Sequence, residues 1–190
     1  MQKGIVSVVD IVEKSPCFDL LPLKGEGLSI TEPPRRPMWT LSPYDGKKDA
    51  AAKALKRGAK VDWPAINGTD GEFPRTQWFG RSHILLVGAE PPNPVLKFAA
   101  CVDHTDGWAV VDVQGAHART VLDRITPLDL RDASLPVGAT ARVELQHMQG
   151  AITRLDTEQY ELMVFRSMAA TLVHDLKTAM ESVEALDQTA

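Results

Sequence analysis

The stretch Trp108-Ala109-Val110-Val111-Asp112-Val113-Gln114-Gly115 decides the fold. Its first six residues are apolar except Asp112. β-Branched side chains are stiff at χ1 and pack well on a pleated surface, so the run reads as a buried strand, and Gln114-Gly115 closes it in a turn. The apolar positions that follow, Ala118, Val121, Leu122 and Ile125, fall at i, i+3, i+4 and i+7. That spacing predicts a helix over residues 116–125, ended by Pro127.

Three further strands are expected downstream. Residues 141–147 alternate, with Val143 and Leu145 on one face and Arg142, Glu144 and Gln146 on the other. Residues 150–156 follow after a turn at His147-Met148-Gln149-Gly150. Residues 159–165 alternate again, with Tyr160, Leu162 and Val164 set against Glu161, Met163 and Phe165. Ser167 is a candidate N-cap for a last helix whose stripe is Ala169, Leu172, Val173, Leu176, Met180 and Val183. At about 1.5 Å per residue such a helix spans roughly 27 Å and crosses a small sheet. Strand, helix, three strands, helix predicts an α+β fold: antiparallel or mixed sheets with helices packed on one face, in split βαβ units.

These residues also carry a resemblance. Val111-Asp112-Val113-Gln114-Gly115, the residues from Ala118 to Leu122, Ile125-Thr126-Pro127-Leu128-Asp129-Leu130 and Val137-Gly138 resemble the core of the aminomethyltransferase-like, folate-binding family. The ending Tyr160-Glu161-Leu162-Met163-Val164-Phe165-Arg166-Ser167-Met168-Ala169 is similar to the gamma subunits of heterotetrameric sarcosine oxidases, where a strand runs through an Arg-Ser pair into the final helix. Trp78-Phe79-Gly80-Arg81-Ser82-His83, leading into Ile84-Leu85-Leu86-Val87, resembles a segment of the same subunits.

The first half is more broken. Residues 1–27 read as a short helix followed by an extended arm bearing Phe18, Leu20, Leu21 and Leu23, either wrapping a neighbour or packing on its own domain. Residues 28–190 read as one α+β body, in subunits of about 28–100 and 101–190, and the resemblance implies that their sheets could join. A strand at Leu28-Ser29-Ile30-Thr31 is interrupted by Pro33, Pro34 and Pro37 and resumes at Met38-Trp39-Thr40-Leu41. Proline lacks the ladder N–H, which predicts an edge or bulged strand. Residues 49–57 are alanine-rich and helical, with Gly58 at the expected C′ position. Residues 61–74 read as a long loop, Ile84-Leu85-Leu86-Val87 as a strand covered on both faces, and residues 95–100 as a short helix.

A chain of 190 residues with 44% hydrophobic composition can bury a core. The formal net charge of −4 argues against nucleic-acid or anionic-membrane partners, which need a positive field. No run of about eighteen apolar residues is present, so no membrane helix is expected, and residues 1–13 lack the long apolar region of a signal peptide; the localisation read from this is cytoplasmic. Cys17 and Cys101 have no metal-type spacing and read as reduced thiols. Between residues 35 and 60, eight basic residues face only Asp45 and Asp49. Within that stretch Lys53, Lys56 and Arg57 are candidates for an acidic partner's docking patch or for a solvated helix face.

No zinc arrangement is present among His83, His104, His117, His147 and His174, and no nucleophile elbow, Walker loop or dinucleotide fingerprint occurs. Asp103-His104-Thr105-Asp106 crowds acid and base groups but reads as a turn. Asp129 matches an aspartate near the folate cavity of the resembled family; its simpler work is to brace the turn over residues 126–130. Arg166 is expected to pair with a carboxylate of this chain or of a partner.

The resemblance implies an accessory gamma subunit without its own active site. It implies a flavin-dependent sarcosine oxidase, an oxidoreductase that demethylates sarcosine to glycine and passes the one-carbon unit to tetrahydrofolate. Alpha, beta and delta subunits are the implied partners, holding FAD, FMN, NAD and zinc. The alternative is a stand-alone folate-binding, one-carbon transfer protein of the same fold.

Overall fold

The computed structural model describes residues 12–187. The helix expected early in the arm lies outside them. The elements are β1 (Leu23–Gly25), β2 (Leu28–Thr31), β3 (Met38–Pro43), α1 (Lys48–Ala59), β4 (Thr69–Asp70), β5 (Arg75–Trp78), β6 (Ile84–Val87), β7 (Ala99–Asp103), β8 (Trp108–Gln114), α2 (Ala118–Leu122), β9 (Thr140–Leu145), β10 (Met148–Asp156), β11 (Gln159–Phe165) and α3 (Ala169–Asp187). Short 3₁₀ turns occupy Val95–Lys97 and Arg166–Met168.

The strands form two sheets in which every pairing is antiparallel. One has six strands in the order β1-β2-β8-β11-β10-β9, the other five in the order β4-β5-β6-β3-β7. The fold is therefore α+β with antiparallel sheets, as read from the sequence. Strand β8 shows how it is sorted. Ala109, Val111 and Val113 pack with Tyr160, Leu162 and Val164 of β11 against Leu172 and Leu176 of α3. Trp108 and Val110 point the other way and pack with Met163, Met38, Leu85 and Val87 between the sheets. A third cluster, with Leu41, Ile84 and Leu86, seats Ala51, Ala54 and Leu55 of α1 on the far face of the second sheet. The layers run helix, sheet, sheet, helix. Each fully buried Leu or Val contributes about 1.5 to 3 kcal/mol relative to exposure, which makes these clusters the dominant stabilising term.

The two sheets stack face to face and also touch at one edge, where an antiparallel bridge links Gly68, before β4, to Ala139, before β9; the division near residue 100 is crossed in both. Strands β1 and β2 complete the sheet of the second half by pairing β2 with β8. Strand β3 is not an edge: it lies between β6 and β7. The prolines that suggested an edge occupy the crossover from one sheet to the other, where no ladder N–H is needed. Of them, Pro37 still accepts a hydrogen bond from Gly88 N through its carbonyl.

Several boundaries differ from the sequence reading: the turn expected at residues 147–150 is made by Gln146 and His147, so that β10 already starts at Met148, and β4 lies within the stretch read as a loop. The helix at Ala118 is only five residues long, because the chain tightens into i→i+3 bonds at Arg124 and Ile125; Ile125 stays in the core. Ser167 lies within a 3₁₀ turn that precedes α3, and Arg166 N is still held by the Gly107 carbonyl as the strand ends. Helix α1 continues through Gly58 to Ala59 and ends with Lys60 in the left-handed conformation. Gly58 answers to a neighbour instead: a Cβ there would meet the Pro92 ring at 2.5 Å. The helix expected at residues 95–100 is a 3₁₀ turn, after which the chain enters β7 and pairs with β3.

Candidate functional site

The stacking of the sheets leaves a cavity of about 400 Å³ at one end of the layer between them. Its floor is apolar: Met38 and Val87 from one sheet, Trp108, Val110 and Met163 from the other. Its mouth is built from residues 13–16 and from the proline-bearing crossover at residues 32–36. These two segments are tied together. Ser15 Oγ donates to Glu32 at 2.5 Å, Cys17 N donates to Glu32 at 3.0 Å, and Arg35 pairs with Glu13 and, at 2.7 Å, with Asp106.

The same layer holds an unusual density of charge. Glu161 lies opposite Asp112 on adjacent strands, so both carboxylates face the second sheet. Arg75 of β5 reaches across and forms an ion pair with Glu161, the two side chains being 4% and 5% exposed. Arg36 stacks on Phe73 at 3.8 Å from the ring centre, and Arg75 approaches the same ring at 5.4 Å. Burial first, and then the charge of Glu161, push the Asp112 carboxyl up to about 6, against the pull of Arg36 and Arg75. Arg75 Nε, both amide atoms of Gln77, Asp112 Oδ1 and Arg142 Nη1 are buried without a protein partner. All belong to strand positions that face the inter-sheet layer.

An aromatic row closes one side. Phe79 meets Trp108 edge to face at 5.2 Å, and Trp108 stacks on the exposed Phe165 at 4.8 Å. Arg142 lies over Phe79 at 4.2 Å and over Trp108 at 5.3 Å, which places a cation beside both rings.

Of the residues singled out from the sequence, Thr105 and Asp106 of the 103–106 turn reach this site, the first lining the cavity and the second pairing with Arg35, and so does Arg166. It lines the cavity, and its guanidinium donates to the backbone carbonyl of Lys14 instead of pairing with a carboxylate. Asp129 lies elsewhere, where it accepts from Arg131 N at 3.0 Å, Arg131 Nη2 at 2.7 Å and Ser134 Oγ at 2.6 Å. Those bonds hold its carboxyl well below the usual range, and the turn it braces runs from 129 to 134. Lys53, Lys56 and Arg57 are exposed on α1, with Lys56 2.8 Å from Asp62. The basic surplus of residues 35–60 is therefore divided: Arg35 and Arg36 line the cavity, whereas the lysines of α1 lie on the opposite side of the second sheet.

Asp112, Glu161 and Arg75 were not read as site residues, and Arg36 was read only as part of the basic stretch. One signal was readable, a lone carboxylate inside a strand otherwise apolar on both faces. The partnership with Arg75, 86 positions away from Glu161, was not. Cys17 and Cys101 are free, and burial together with Glu32 pushes the Cys17 thiol up to about 12, which leaves it unreactive. Among the described residues no group of His, Cys, Asp and Glu could hold a metal ion, and no helix is long and apolar enough to cross a membrane.

The sequence matches no family model and no curated protein. Its fold does match solved structures. A chain of the heterotetrameric sarcosine oxidase from Corynebacterium sp. U-96, solved in complex with pyrrole 2-carboxylate, aligns with a TM-score of 0.79, covering 90% of this chain and 95% of that one at 20% identity. Aminomethyltransferase T of the glycine cleavage system from Bartonella henselae aligns with a TM-score of 0.56 over 79% of this chain at 12% identity. This chain spans 45% of the transferase. At these identities the likeness establishes a shared architecture.

Proposed function

We propose that this chain is an accessory, non-catalytic subunit of the gamma type in a heterotetrameric, flavin-dependent sarcosine oxidase. One observation carries the reading: the likeness to the oxidase chain runs end to end, 95% of its length, whereas the transferase contains as much again beyond the matched part. In this reading the alpha, beta and delta subunits supply FAD, FMN, NAD and zinc and carry out demethylation and one-carbon transfer to tetrahydrofolate in the cytoplasm. This chain supplies a wall. Its basic α1 face, with Lys53, Lys56 and Arg57, meets an acidic partner, and the Arg166 junction orders the first segment for contact. Asp129 braces a loop and touches no reactant.

The test is to recover the affinity-tagged chain from its own cells and measure native mass and visible absorption. A yellow complex several-fold heavier than 20.8 kDa is expected. A colourless monomer overturns the assignment.

A second reading, a stand-alone folate-binding protein of one-carbon transfer, is favoured by the inter-sheet cavity and its charged wall. Tetrahydrofolate titration of the monomer separates it from the first.

A further inference from the structure

The charges around the inter-sheet cavity cancel. Lys14, Arg35, Arg36 and Arg166 line it with Glu13, Glu32 and Glu161, while Arg75, Asp106 and Asp112 act on those side chains from behind. Five cations therefore meet five carboxylates. Arg35 pairs with Glu13 and Asp106, and Arg75 with Glu161. Arg36 lies on the Phe73 ring and feels the charge of Asp112. Glu32 accepts from Ser15 and Cys17, Arg166 donates to the Lys14 carbonyl, and the Lys14 ammonium stands 4.3 Å from the centre of the Phe18 ring. What these contacts leave uncovered is the floor of Met38, Val87, Trp108, Val110 and Met163, at the bottom of a volume of about 400 Å³. Small-molecule sites run from roughly 300 to 1,000 Å³, so the space suffices for one compact ligand.

The geometry points to a binding site for an uncharged, largely apolar small molecule, its body laid on Trp108, Val110 and Met163 and its entry lying between residues 13–16 and 32–36. A charged ligand would shed its hydration in a set of side chains whose charges already balance, and would find no free counter-charge there. An uncharged body loses no ionic hydration and displaces water from the apolar floor. The bonds from Ser15 and Cys17 to Glu32, and from Arg35 to Glu13, strap the two mouth segments together. The opening therefore suits a free small molecule and not a helix or strand of another protein. The inference stands independently of any partner subunit.

The test is calorimetric titration of the full-length chain at about pH 8, where Asp112 is ionised, with three probes of one body: naphthylmethanol, naphthoate and naphthylmethylamine. One saturable site for the alcohol is expected, with a Kd below about 1 mM, and both charged probes at least about tenfold weaker. The methyl resonances of Met38 and Met163 should shift as the alcohol is added, which locates the site without a substitution. Glu13→Gln combined with Asp106→Asn leaves the exposed Arg35 without a counter-charge and should tighten naphthoate at least about fivefold. Val110→Phe, which fills the floor, should abolish binding of the alcohol; cooperative melting reports whether that variant is folded, and if it is not, the methionine resonances decide. A charged probe that binds as tightly as the alcohol, or no saturable binding of the alcohol up to about 2 mM, overturns the proposal. So do unmoved Met38 and Met163 resonances at saturation, alcohol binding unchanged in folded Val110→Phe, or naphthoate affinity unchanged in the folded double variant.

Discussion

The Arg75 guanidinium and the Glu161 carboxylate meet between the two sheets, in an ion pair that joins β5 of one sheet to β11 of the other. Taking two charges out of water is costly, and the pair is tolerated because each neutralises the other. Glu161→Gln leaves Arg75 buried without its counter-charge, and a loss of about 3 to 5 kcal/mol is expected in urea denaturation. Arg75→Met combined with Glu161→Leu should be more stable than either single variant. Additive losses in that cycle would contradict the coupling.

Asp112 gives a pH dependence of the opposite sense to an ordinary paired carboxylate. Its folded-state pKa, about 6, lies above the ordinary carboxylate value of 3.8, so the folded chain binds the extra proton. The contribution of Asp112 to stability is complete below the ordinary value and is lost as the pH rises through about 6. Asp112→Asn should therefore gain in melting temperature relative to the parent between acid and neutral pH. A difference that stays constant across that range, or that runs the other way, would rule this out.

Gly58 sits inside α1, where alanine is ordinarily better by up to about 1 kcal/mol. A Cβ there meets Pro92 Cβ at 2.5 Å and Cγ at 2.6 Å, and the proline ring cannot swing aside as a flexible side chain would. Gly58→Ala should destabilise the chain despite its helix propensity. Pro92→Gly, which removes both atoms, should relieve part of the loss, as a denaturant midpoint will show.

Reversal of Lys53, Lys56 and Arg57 to Glu tests the docking role of α1. The stability change should be small, since the Lys56–Asp62 pair is exposed and screened by water. Association with the partner subunits should slow by about tenfold or more in low salt and recover toward the parent rate in high salt. Unchanged association kinetics at low salt would remove the docking assignment.

Arg166→Ala removes the bond to the Lys14 carbonyl and loosens the segment at the cavity mouth, which its bonds to Glu32 and Arg35 still hold. In the proposed oxidase, the yield of assembled complex should fall more than the turnover per flavin of the complex that forms. Normal assembly with lost turnover would contradict an accessory role.

The alternation in β11 marks the limit of what the sequence could disclose. It separated Tyr160, Leu162 and Val164 from Glu161 and Met163 correctly, because side chains on a strand alternate by geometry alone. Alternation does not reveal what covers the second face. In the structure Glu161 and Met163 are 4% and 1% exposed, since another sheet lies over them. The same gap hid the cavity. Its walls come from residues 13–16, 32–38, 87, 105–110 and 161–166, and no short-range pattern brings these together.

By itself the sequence determined the local elements and the class of fold: a valine-rich strand, a 3.6-residue stripe along α3 and paired alternating strands, each set by backbone geometry and side-chain shape within a few residues. Tertiary structure alone decided that the two sheets stack, that β2 crosses into the sheet of the second half, and that Arg75 meets Glu161 beside the inter-sheet cavity. Those outcomes depend on burying the second face of each sheet, a gain realised only when distant segments come together, and periodicity along the chain carries no record of it.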